Sequence, residues 1–294
     1  MSETVSALVD GDLSLEPTSG QGTSVGDFIG FAVTVGGERV GTLAFRHEGD
    51  RGVLSVRWNV GEHALGIALR VLRLAVSHAF TTLGAHRLEA RIPVDRVDDV
   101  RAASISGLRR EGILRAAGTA PDRVLMARLV DDPPITDRHG FIAILNAGLP
   151  TKRVIGQGVW RDQDGRILLC ELTYKSEWDL PGGVIEVGEA PAVGLVRELQ
   201  EELGVTAQIH GLITVNWLPA WRGWDDACVF VFDLGVADAS VVDQMTLQAT
   251  EIKAVHWCDA ATLHERGTAA SIELLDALAD APLPPYREAP RAAE

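Results

Sequence analysis

The stretch from Pro181 to Val205 constrains the local fold of this chain more than any other, because it contains both a helix start and a helix stop. Pro191 suits the first turn of a helix, and Gly204 suits the left-handed position that ends one. No proline lies between them. The spacing therefore predicts a helix of about three turns that follows a loop containing glycine.

The predicted helix carries aliphatic residues on one side and carboxylates on the other. At about 100° per residue, the aliphatic residues form one stripe and three glutamates share an arc of about 100°. The stripe is Ala192, Val196, Leu199 and Leu203, and the glutamates are Glu198, Glu201 and Glu202. Like charges at this spacing repel each other, so we expect a cation beside them. Oxygen ligands favour Mg²⁺ or Mn²⁺, and a solvated acidic surface is the alternative.

The same stretch contains the complete pattern of the Nudix box, and it resembles that family. The pattern is Gly, five residues, Glu, seven residues, Arg-Glu, an aliphatic residue, any residue, Glu-Glu, any residue, Gly and an aliphatic residue. The matching positions are Gly183, Glu189, Arg197, Glu198, Leu199, Glu201, Glu202, Gly204 and Val205. The resemblance covers residues 151 to about 280 and implies an α/β/α sandwich with a mixed sheet.

The resemblance implies a hydrolase that uses Mg²⁺ or Mn²⁺ to split a phosphoanhydride bond. The implied substrate is a nucleoside diphosphate linked to another group, such as a nucleotide sugar, a dinucleotide or a nucleoside triphosphate. Glu198 and Glu202 would be the principal metal ligands, and the carbonyl of Gly182 would complete the set. Glu201 would be a further ligand or a base. Independently, the i,i+4 spacing of Glu198 and Glu202 places their carboxylates over one point.

Other residues of the predicted catalytic machinery have less specific assignments. Arg197 is expected to orient Glu198 or to pair with Glu189. The catalytic base is left open between Glu201 and Glu251, which precedes a predicted strand. The alternative for Glu251 is a solvated strand end.

Substrate selection is assigned to aromatic and basic residues near the box. The candidates are Trp178, Lys175, Trp221 and Arg222. Aromatic rings could clamp a base and the cations could reach a phosphate, although tryptophans at such positions also commonly fill the core of a sandwich. No residue is assigned to an organic cofactor.

The length of 294 residues suggests two domains, each able to bury a core. The net charge of −14 argues against a stable nucleic-acid partner and against an anionic membrane surface. No apolar run approaches the ~18 residues of a membrane span, and the N-terminus lacks a signal-peptide pattern, so we expect a cytoplasmic protein. The three cysteines form no CxxC pair and indicate neither disulfides nor zinc. Assembly as a monomer or a homodimer is left open.

Composition divides the chain into five segments. Residues 1–25 are rich in Ser, Gly and Thr and are expected to form a flexible arm, and residues 26–131 show a mixed pattern of strands and helices. A linker rich in Asp and Pro is predicted over 132–150, within which 141–149 could form a short helix. The Nudix-like domain occupies 151–280, and a tail rich in Pro and Ala, expected to be disordered, occupies 281–294.

The order of predicted elements in residues 26–131 resembles the later two-thirds of a GNAT acetyltransferase. The resemblance is carried by the segments His78–Ala90 and Gly107–Arg115. A run from His63 to Ala68 corresponds to the loop that cradles the pyrophosphate of coenzyme A in that family, but it lacks the usual Gln or Arg. The Asn-x-x-Ser of the family stands here as Arg96-Val-Asp-Asp99, and the tyrosine used as a general acid is absent. A degenerate GNAT-like domain that packs, binds or dimerises is therefore expected.

Two other functions stay open at this point. One is an N-acetyltransferase that uses acetyl-CoA and senses a nucleotide through its Nudix-like half. The other is a regulator that binds a nucleotide without catalysis. The intact box disfavours the second of these.

Overall fold

The computed structural model describes residues 6–18, 28–61, 65–220 and 223–289, except for the side chains of residues 50 and 51. The chain divides into two compact units, Met1–Pro150 and Thr151–Glu294. Each unit combines one sheet with helices, which confirms the predicted α/β class.

The first unit contains an eight-stranded sheet in the order β1-β2-β3-β4-β5-β6-β8-β7. Every neighbouring pair is antiparallel except β5 and β6, which are parallel. The elements are β1 (Leu8–Asp10), β2 (Leu13–Pro17), β3 (Phe28–Val35), β4 (Glu38–Glu48), β5 (Asp50–Asn59), α1 (Leu65–Thr81), β6 (Arg87–Pro93), α2 (Val97–Ile105), β7 (Arg109–Leu114), β8 (Arg123–Leu129) and α3 (Arg138–Gly148).

Local sequence explains the central elements of this unit. The hairpin between β3 and β4 turns at Gly36 and Gly37, which both have positive φ and so suit the tight turns that match strand twist. Along α1, the residues at helical spacing are the buried ones, and Ala68, Leu72 and Val76 pack into the core as their period predicts.

The N-terminal segment differs from the flexible arm that composition predicts. Residues 8–17 form the β1–β2 hairpin, and β2 pairs with β3. Leu13 and Leu15 are fully buried, while Ser14 and Glu16 alternate with them. Two apolar residues in alternation suffice to anchor a short strand to an existing sheet, and composition averages hide that signal. The rest of the predicted arm, residues 1–5 and 19–25, lies outside the described residues.

Two further elements of the first unit, β7 and α3, differ from the predicted secondary structure. Strand β7 lies at the edge of the sheet beside β8, within the segment Gly107–Arg115, where no strand was predicted. Part of the predicted linker is helix α3, capped by the Asp137 side chain, which accepts a hydrogen bond from the backbone N–H of His139. Gly140 is its one buried residue, and a Cβ there would collide with the carbonyls of Pro133 and Pro134.

The second unit contains a mixed sheet in the order β14-β10-β9-β13-β12-β15, with β11 paired to β9. The pairs β9–β13 and β12–β15 are parallel. The elements are β9 (Arg153–Arg161), β10 (Ile167–Leu172), β11 (Gly182–Val184), α4 (Pro191–Leu203), β12 (Gly211–Leu218), β13 (Ala227–Val236), a 3₁₀ helix (Ala239–Gln244), β14 (Ile252–Cys258), α5 (Ala260–Arg266), α6 (Ala269–Asp280) and β15 (Tyr286–Glu288).

Alternation along β10 shows how the sheet separates two cores. Leu168 and Cys170 pack with the leucines of α4, whereas Leu169 packs with the leucines of α6. Successive side chains of a strand point to opposite faces, so α4 and α6 cover opposite sides of the sheet. This arrangement confirms the predicted sandwich.

The predicted disordered tail is also partly structured. Residues 286–288 form β15, which extends the sheet beside β12. Thr214 Oγ1 donates to the carbonyl of Pro284 at 2.8 Å, and the Ala289 N–H donates to the carbonyl of Trp217 at 2.9 Å. A proline-rich composition is compatible with a short edge strand, because the backbone bonds needed here avoid the proline nitrogens. Residues 290–294 lie outside the described residues.

Within the described parts of the chain, no helix combines the length and the apolar character needed to cross a membrane.

Candidate active site

Helix α4 has the boundaries that its proline and glycine predict. It begins at Pro191, and Gly204 ends it in the left-handed conformation with φ 70°. The buried face of the helix differs in part from the predicted aliphatic stripe, because Leu195 is buried and Val196 is not. Glu202 is also on the buried face, with only 7% of its surface exposed. The helical period of 3.6 brings position 202 beside Leu195 and Leu199, so one carboxylate of the box is directed inward.

Arg197 organises the acidic residues around the helix. Its Nε and Nη2 donate to the two carboxylate oxygens of Glu189, each at 3.0 Å, and Nη2 also donates to the Val184 carbonyl. Its Nη1 donates to Glu198 Oε1 and Glu201 Oε2, both at 2.9 Å. Both predicted alternatives, orienting Glu198 and pairing with Glu189, therefore occur together. The guanidinium holds the pKa of Glu189 below its usual range.

Glu202 is the most perturbed carboxyl group near the box. Burial raises its pKa to about 8, and the charges of Glu198, Glu251 and Glu201 and a hydrogen bond with Glu251 act in the same direction. Burial opposes the charged form, and nearby carboxylates oppose it further. The structure thus brings Glu251, which is distant in sequence, to the box.

Backbone hydrogen bonds explain why Glu251 arrives there. The N–H of Thr246 donates to the carbonyl of Leu203 at 2.9 Å, and the N–H of Gln248 donates to the carbonyl of Glu202 at 2.8 Å. The loop before β14 is therefore fastened to the C-terminal end of α4. Helix ends leave carbonyl groups without intrahelical partners, and this loop satisfies two of them.

The glycine pair before the box makes room for Glu198. A Cβ atom on Gly183 would lie 2.6 Å from the carboxyl carbon of Glu198. Gly182 has φ 133°, and a Cβ there would collide with the carbonyl of Gly156 on β9. Burial raises the pKa of Glu198, whereas Arg197 lowers it. Glycine at both positions thus lets β11 pass close to its neighbouring strand and to this carboxylate.

The chemistry of this donor set fits a divalent cation. Burial and mutual repulsion oppose ionisation of Glu202 and Glu198, and a bound cation would relieve both effects. Arg197 also supplies positive charge to Glu198 and Glu201. In the described ranges, no three acidic, histidine or cysteine groups are arranged as a metal site. The set Glu198, Glu201, Glu202 and Gly182 stays a prediction.

Two of the predicted substrate residues contact other side chains of the second unit, and their role stays a prediction. Trp178 packs with the core on the α6 side of the sheet and stacks on His256, with ring centroids 3.9 Å apart. It therefore lies on the face opposite α4, because the α6-side core and the α4-side core cover opposite faces of the sheet. Lys175 forms an ion pair of 2.7 Å with Asp179. Trp221 and Arg222 lie outside the described residues.

Sequence reasoning missed Tyr174 as a neighbour of the carboxylates. Tyr174 is 68% exposed as a whole residue. Partial burial of its phenol raises the phenol pKa, and the charges of Glu202, Asp179 and Glu251 raise it further. The chain is held there because Thr173 donates through its N–H to the Glu251 carbonyl at 2.9 Å. Pairing of β10 with β14 sets this proximity. The signal available in the sequence was an aromatic residue two positions after the largely apolar run 167–172.

Asp179 is a second residue that sequence reasoning missed. Its Oδ1 accepts hydrogen bonds from Ser271 Oγ at 2.7 Å, from the Leu180 N–H at 3.0 Å and from Gln157 Nε2 at 3.2 Å. These bonds join the segment before Gly182 to α6 and to β9. Asp179 thereby positions the start of the box loop.

Known proteins with a similar sequence share the second unit. Residues 152–278 match the family model described as the NUDIX domain. The chain is similar to a MutT-like protein of Streptomyces ambofaciens, with 38% identity over 66 residues, covering 22% of this chain and 43% of that protein. It is also similar to the CTP pyrophosphohydrolase of Escherichia coli strain K12, with 32% identity over 101 residues, covering 33% of this chain and 69% of that protein. The chain thus spans less than half of the first relative.

Solved structures similar to parts of the chain come from two families. One is the MutT protein of Methanosarcina mazei Go1, with 22% identity and a TM-score of 0.38, covering 45% of this chain and 99% of that one. Another is an acetyltransferase of the GNAT family from Bacillus anthracis, with 20% identity and a TM-score of 0.32, covering 34% and 65%. With the domain match over 152–278 and 32% identity to the CTP pyrophosphohydrolase of Escherichia coli, of which it covers 69%, this chain belongs to the Nudix hydrolase family.

Proposed function

We propose that the second unit hydrolyses a phosphoanhydride bond in a nucleoside diphosphate linked to another group. The observation that carries this proposal is the convergence of Glu202, Glu198 and Glu251. The carboxyl of Glu202 is buried, and burial and the neighbouring carboxylates raise its pKa to about 8. Strongly perturbed carboxyl groups that cluster beside a box loop are typical of sites that bind a cation and move protons.

In this proposal, Glu198, Glu201, Glu202 and the Gly182 carbonyl hold Mg²⁺ or Mn²⁺. The bound ion would neutralise charge on the phosphate oxygens and lower the pKa of a water molecule. Arg197 keeps Glu198 and Glu201 on the same side of the helix, through its 2.9 Å bonds to both. It is a positioning residue.

Glu251 is the better of the two candidates for the base. The side chain of Glu201 is 56% exposed, and its carboxylate is already engaged in an ion pair of 2.9 Å with Arg197. Glu251 instead shares a hydrogen bond with the high-pKa carboxyl of Glu202. A base beside a group that titrates near neutrality can accept a proton from water and pass it on.

The substrate in this proposal is small and contains a nucleotide. The relatives support this class by their names, which include a CTP pyrophosphohydrolase, an 8-oxo-dGTP diphosphatase and a putative ADP-ribose pyrophosphatase. These names differ in the base and in the leaving group, so they support the shared diphosphate and no single substrate. Tyr174, with its exposed ring beside Glu251, is the residue that we expect to contact this substrate. We place the reaction in the cytoplasm, where such nucleotides are made, and cell fractionation tests this.

The proposal is tested by a substrate screen with Mg²⁺. Nucleotide sugars, dinucleoside polyphosphates and nucleoside triphosphates are incubated with the full chain, and released phosphate is measured after phosphatase treatment. Glu202→Gln should lower turnover by orders of magnitude and leave the fold intact, whereas Glu265→Gln, at an exposed glutamate of α5, should retain activity. Equal turnover of Glu202→Gln and the unmodified chain would refute the proposal.

The same samples discriminate the other functions. Acetyl transfer from acetyl-CoA without phosphate release would replace the proposal with an acetyltransferase. Nucleotide binding by calorimetry without any product would replace it with a regulator.

A further inference from the structure

A pair of stacked rings joins two segments of the proposed active site. One segment is the lead-in to the box, residues 178–182, which ends at Gly182, and the other is β14, which begins directly after Glu251. The rings of Trp178 and His256 have centroids 3.9 Å apart and are inclined by only 6°. They therefore connect the segment of a predicted metal ligand with the strand that follows the proposed base.

The carboxylate of Glu171 on β10 orients the imidazole of this pair. Lys253 and His256 hold the pKa of Glu171 below its usual range, so this group is ionised at neutral pH. An ionised carboxylate only accepts hydrogen bonds, so Nε2 of His256 donates to Oε2 of Glu171 at 3.1 Å. The backbone of His256 pairs with Leu169, which belongs to the core on the α6 side. The plane of the imidazole is thus set by groups other than Trp178.

The indole of the pair is held from its other neighbours as well. The N–H of Trp178 donates to the carbonyl of Arg266 at 2.7 Å, and the N–H of Thr268 donates to the carbonyl of Trp178 at 3.0 Å. The guanidinium carbon of Arg266 also lies 5.7 Å from the centroid of the indole, which is within the range of a cation–π contact. The loop between α5 and α6 and the strand β14 therefore both fix this side chain.

The backbone between the indole and Gly182 is short and attached along its length. Asp179 and Cys170 exchange two backbone hydrogen bonds, of 2.8 and 3.1 Å, and the N–H of Gly158 donates to the carbonyl of Pro181 at 2.9 Å. Gly182 follows with φ 133° and lies so close to β9 that a Cβ would be 2.1 Å from the carbonyl oxygen of Gly156. The direction of the Gly182 carbonyl consequently depends on where this segment is fixed at its start.

We propose that His256 is a positioning residue which, through its stack with Trp178, holds Gly182 and Glu251 in the geometry that binds the divalent cation. This inference rests on the proposed function. His256 itself stays away from the cation, because the core on the α6 side and the core under α4 cover opposite faces of the sheet. It acts through the two backbone segments that the rings join. Groups that orient metal ligands in this way change metal affinity or activity by about 10–100-fold when they are removed.

Two substitutions of His256 separate the stack from the hydrogen bond. His256→Gln keeps an N–H donor for Glu171 and loses the flat ring, whereas His256→Phe keeps a flat ring and loses the donor. We expect His256→Gln to bind Mg²⁺ about tenfold more weakly and His256→Phe to bind it like the unmodified chain. His264→Gln is the matched control, since His264 is an exposed histidine of α5 that pairs with Asp276, and it should bind normally.

Calorimetric titration of the full chain with Mg²⁺, without substrate, measures this affinity directly. Circular dichroism and Tm in chelator report whether each variant is folded. A role in packing alone would lower Tm in chelator and leave the Mg²⁺ affinity unchanged. With a substrate found by the screen, kcat of His256→Gln at saturating Mg²⁺ should fall about tenfold, because Glu251 is misplaced, while KM stays unchanged.

The outcomes distinguish this inference from the proposed hydrolysis. Weaker Mg²⁺ binding by His256→Gln in a chain that turns over no substrate would support the inference and refute the hydrolysis. Turnover by the unmodified chain, with equal Mg²⁺ affinity and kcat in His256→Gln, would do the reverse. An unmodified chain that binds no Mg²⁺ would contradict both.

Two other results would overturn the role of the stack itself. One is an affinity of His256→Phe as low as that of His256→Gln, and the other is a rise in KM with unchanged kcat, which would assign the rings to substrate contact. Trp178→Leu removes the stack from its other ring, so it gives the same test if His256→Gln does not fold. Since both variants break one contact, combining them should weaken Mg²⁺ binding no further than either alone.

Discussion

Replacing Glu202 with glutamine should stabilise the second unit at alkaline pH when no metal is present. Burial raises the pKa of this carboxyl from an ordinary value of 4.5 to about 8. Between these values the unfolded chain has lost a proton that the folded chain retains, so the free energy of unfolding falls as pH rises. Below pH 4.5 both states are protonated and the contribution is fully present. Glutamine removes the titration.

The size of this loss of stability follows from the difference between the two pKa values. Each pH unit within the window costs ~1.4 kcal/mol, so the loss above pH 8 is at most ~5 kcal/mol. A unit of this size gains roughly 2–4 °C in Tm for each kcal/mol. We therefore expect Glu202→Gln to raise Tm by on the order of 10 °C at pH 8.5.

Thermal denaturation of the full chain from pH 4 to pH 9 with chelator measures this effect. Glu265→Gln is the control, since it also replaces a glutamate by glutamine but at an exposed position. In a second series with Mg²⁺, the unmodified chain should gain stability at pH 8.5 because the cation binds the folded state only, and Glu202→Gln should gain little. If Tm of the unmodified chain and of Glu202→Gln fall in parallel with pH in chelator, Glu202 is not a desolvated carboxyl and the reasoning is wrong.

Three further predictions concern single residues. Arg197→Lys cannot reproduce the fork that contacts several carboxylates, so turnover should fall about 10–100-fold while circular dichroism stays unchanged, and full turnover would contradict a positioning role. Gly183→Ala would place a Cβ 2.6 Å from the Glu198 carboxyl, so Mg²⁺ titration followed by Tm should show weaker binding, whereas Gly211→Ala, which has open space, should bind normally. Burial lowers the pKa of His78, whose ring nitrogens have no hydrogen-bond partner among the described residues, so the free energy of unfolding should fall as pH drops below 6.5. His78→Leu should remove that loss in denaturant titrations at pH 5.5 and 7.5, and an unchanged loss would assign it to another group.

The parts of the fold that could be predicted are those with strong local signals. Pro191 and Gly204 mark the ends of α4 because each residue has one backbone preference that suits only that position. Strands β1 and β15 could not be predicted in this way. Each is three residues long and is held by a neighbouring strand, and such pairing has no signature within the segment itself.

The same distinction between local signals and long-range pairing applies to the candidate site. The contacts of Arg197 with Glu198 and Glu189 were anticipated, whereas its bond to Glu201 was not. The position of Trp178 was not, because its face of the sheet depends on the pairing with β14 that brings His256 under its ring. Tyr174 was missed for the same reason, since its approach to the carboxylates requires Thr173 to bond to Glu251.

The spacing within the box has a physical reason in this structure. Arg197 can reach Glu201 because residues four apart share a helix face, and it reaches Glu198 because that residue is adjacent. It reaches Glu189 only because the loop returns to the helix at Gly194, where a side chain would collide with the Glu189 carboxylate. A single guanidinium thus ties the loop to the helix and leaves Glu202 as the box carboxylate it does not neutralise. The charge that Arg197 cannot supply is the charge that a cation bound at Glu202 would supply, which is why Glu202 is the residue to substitute first.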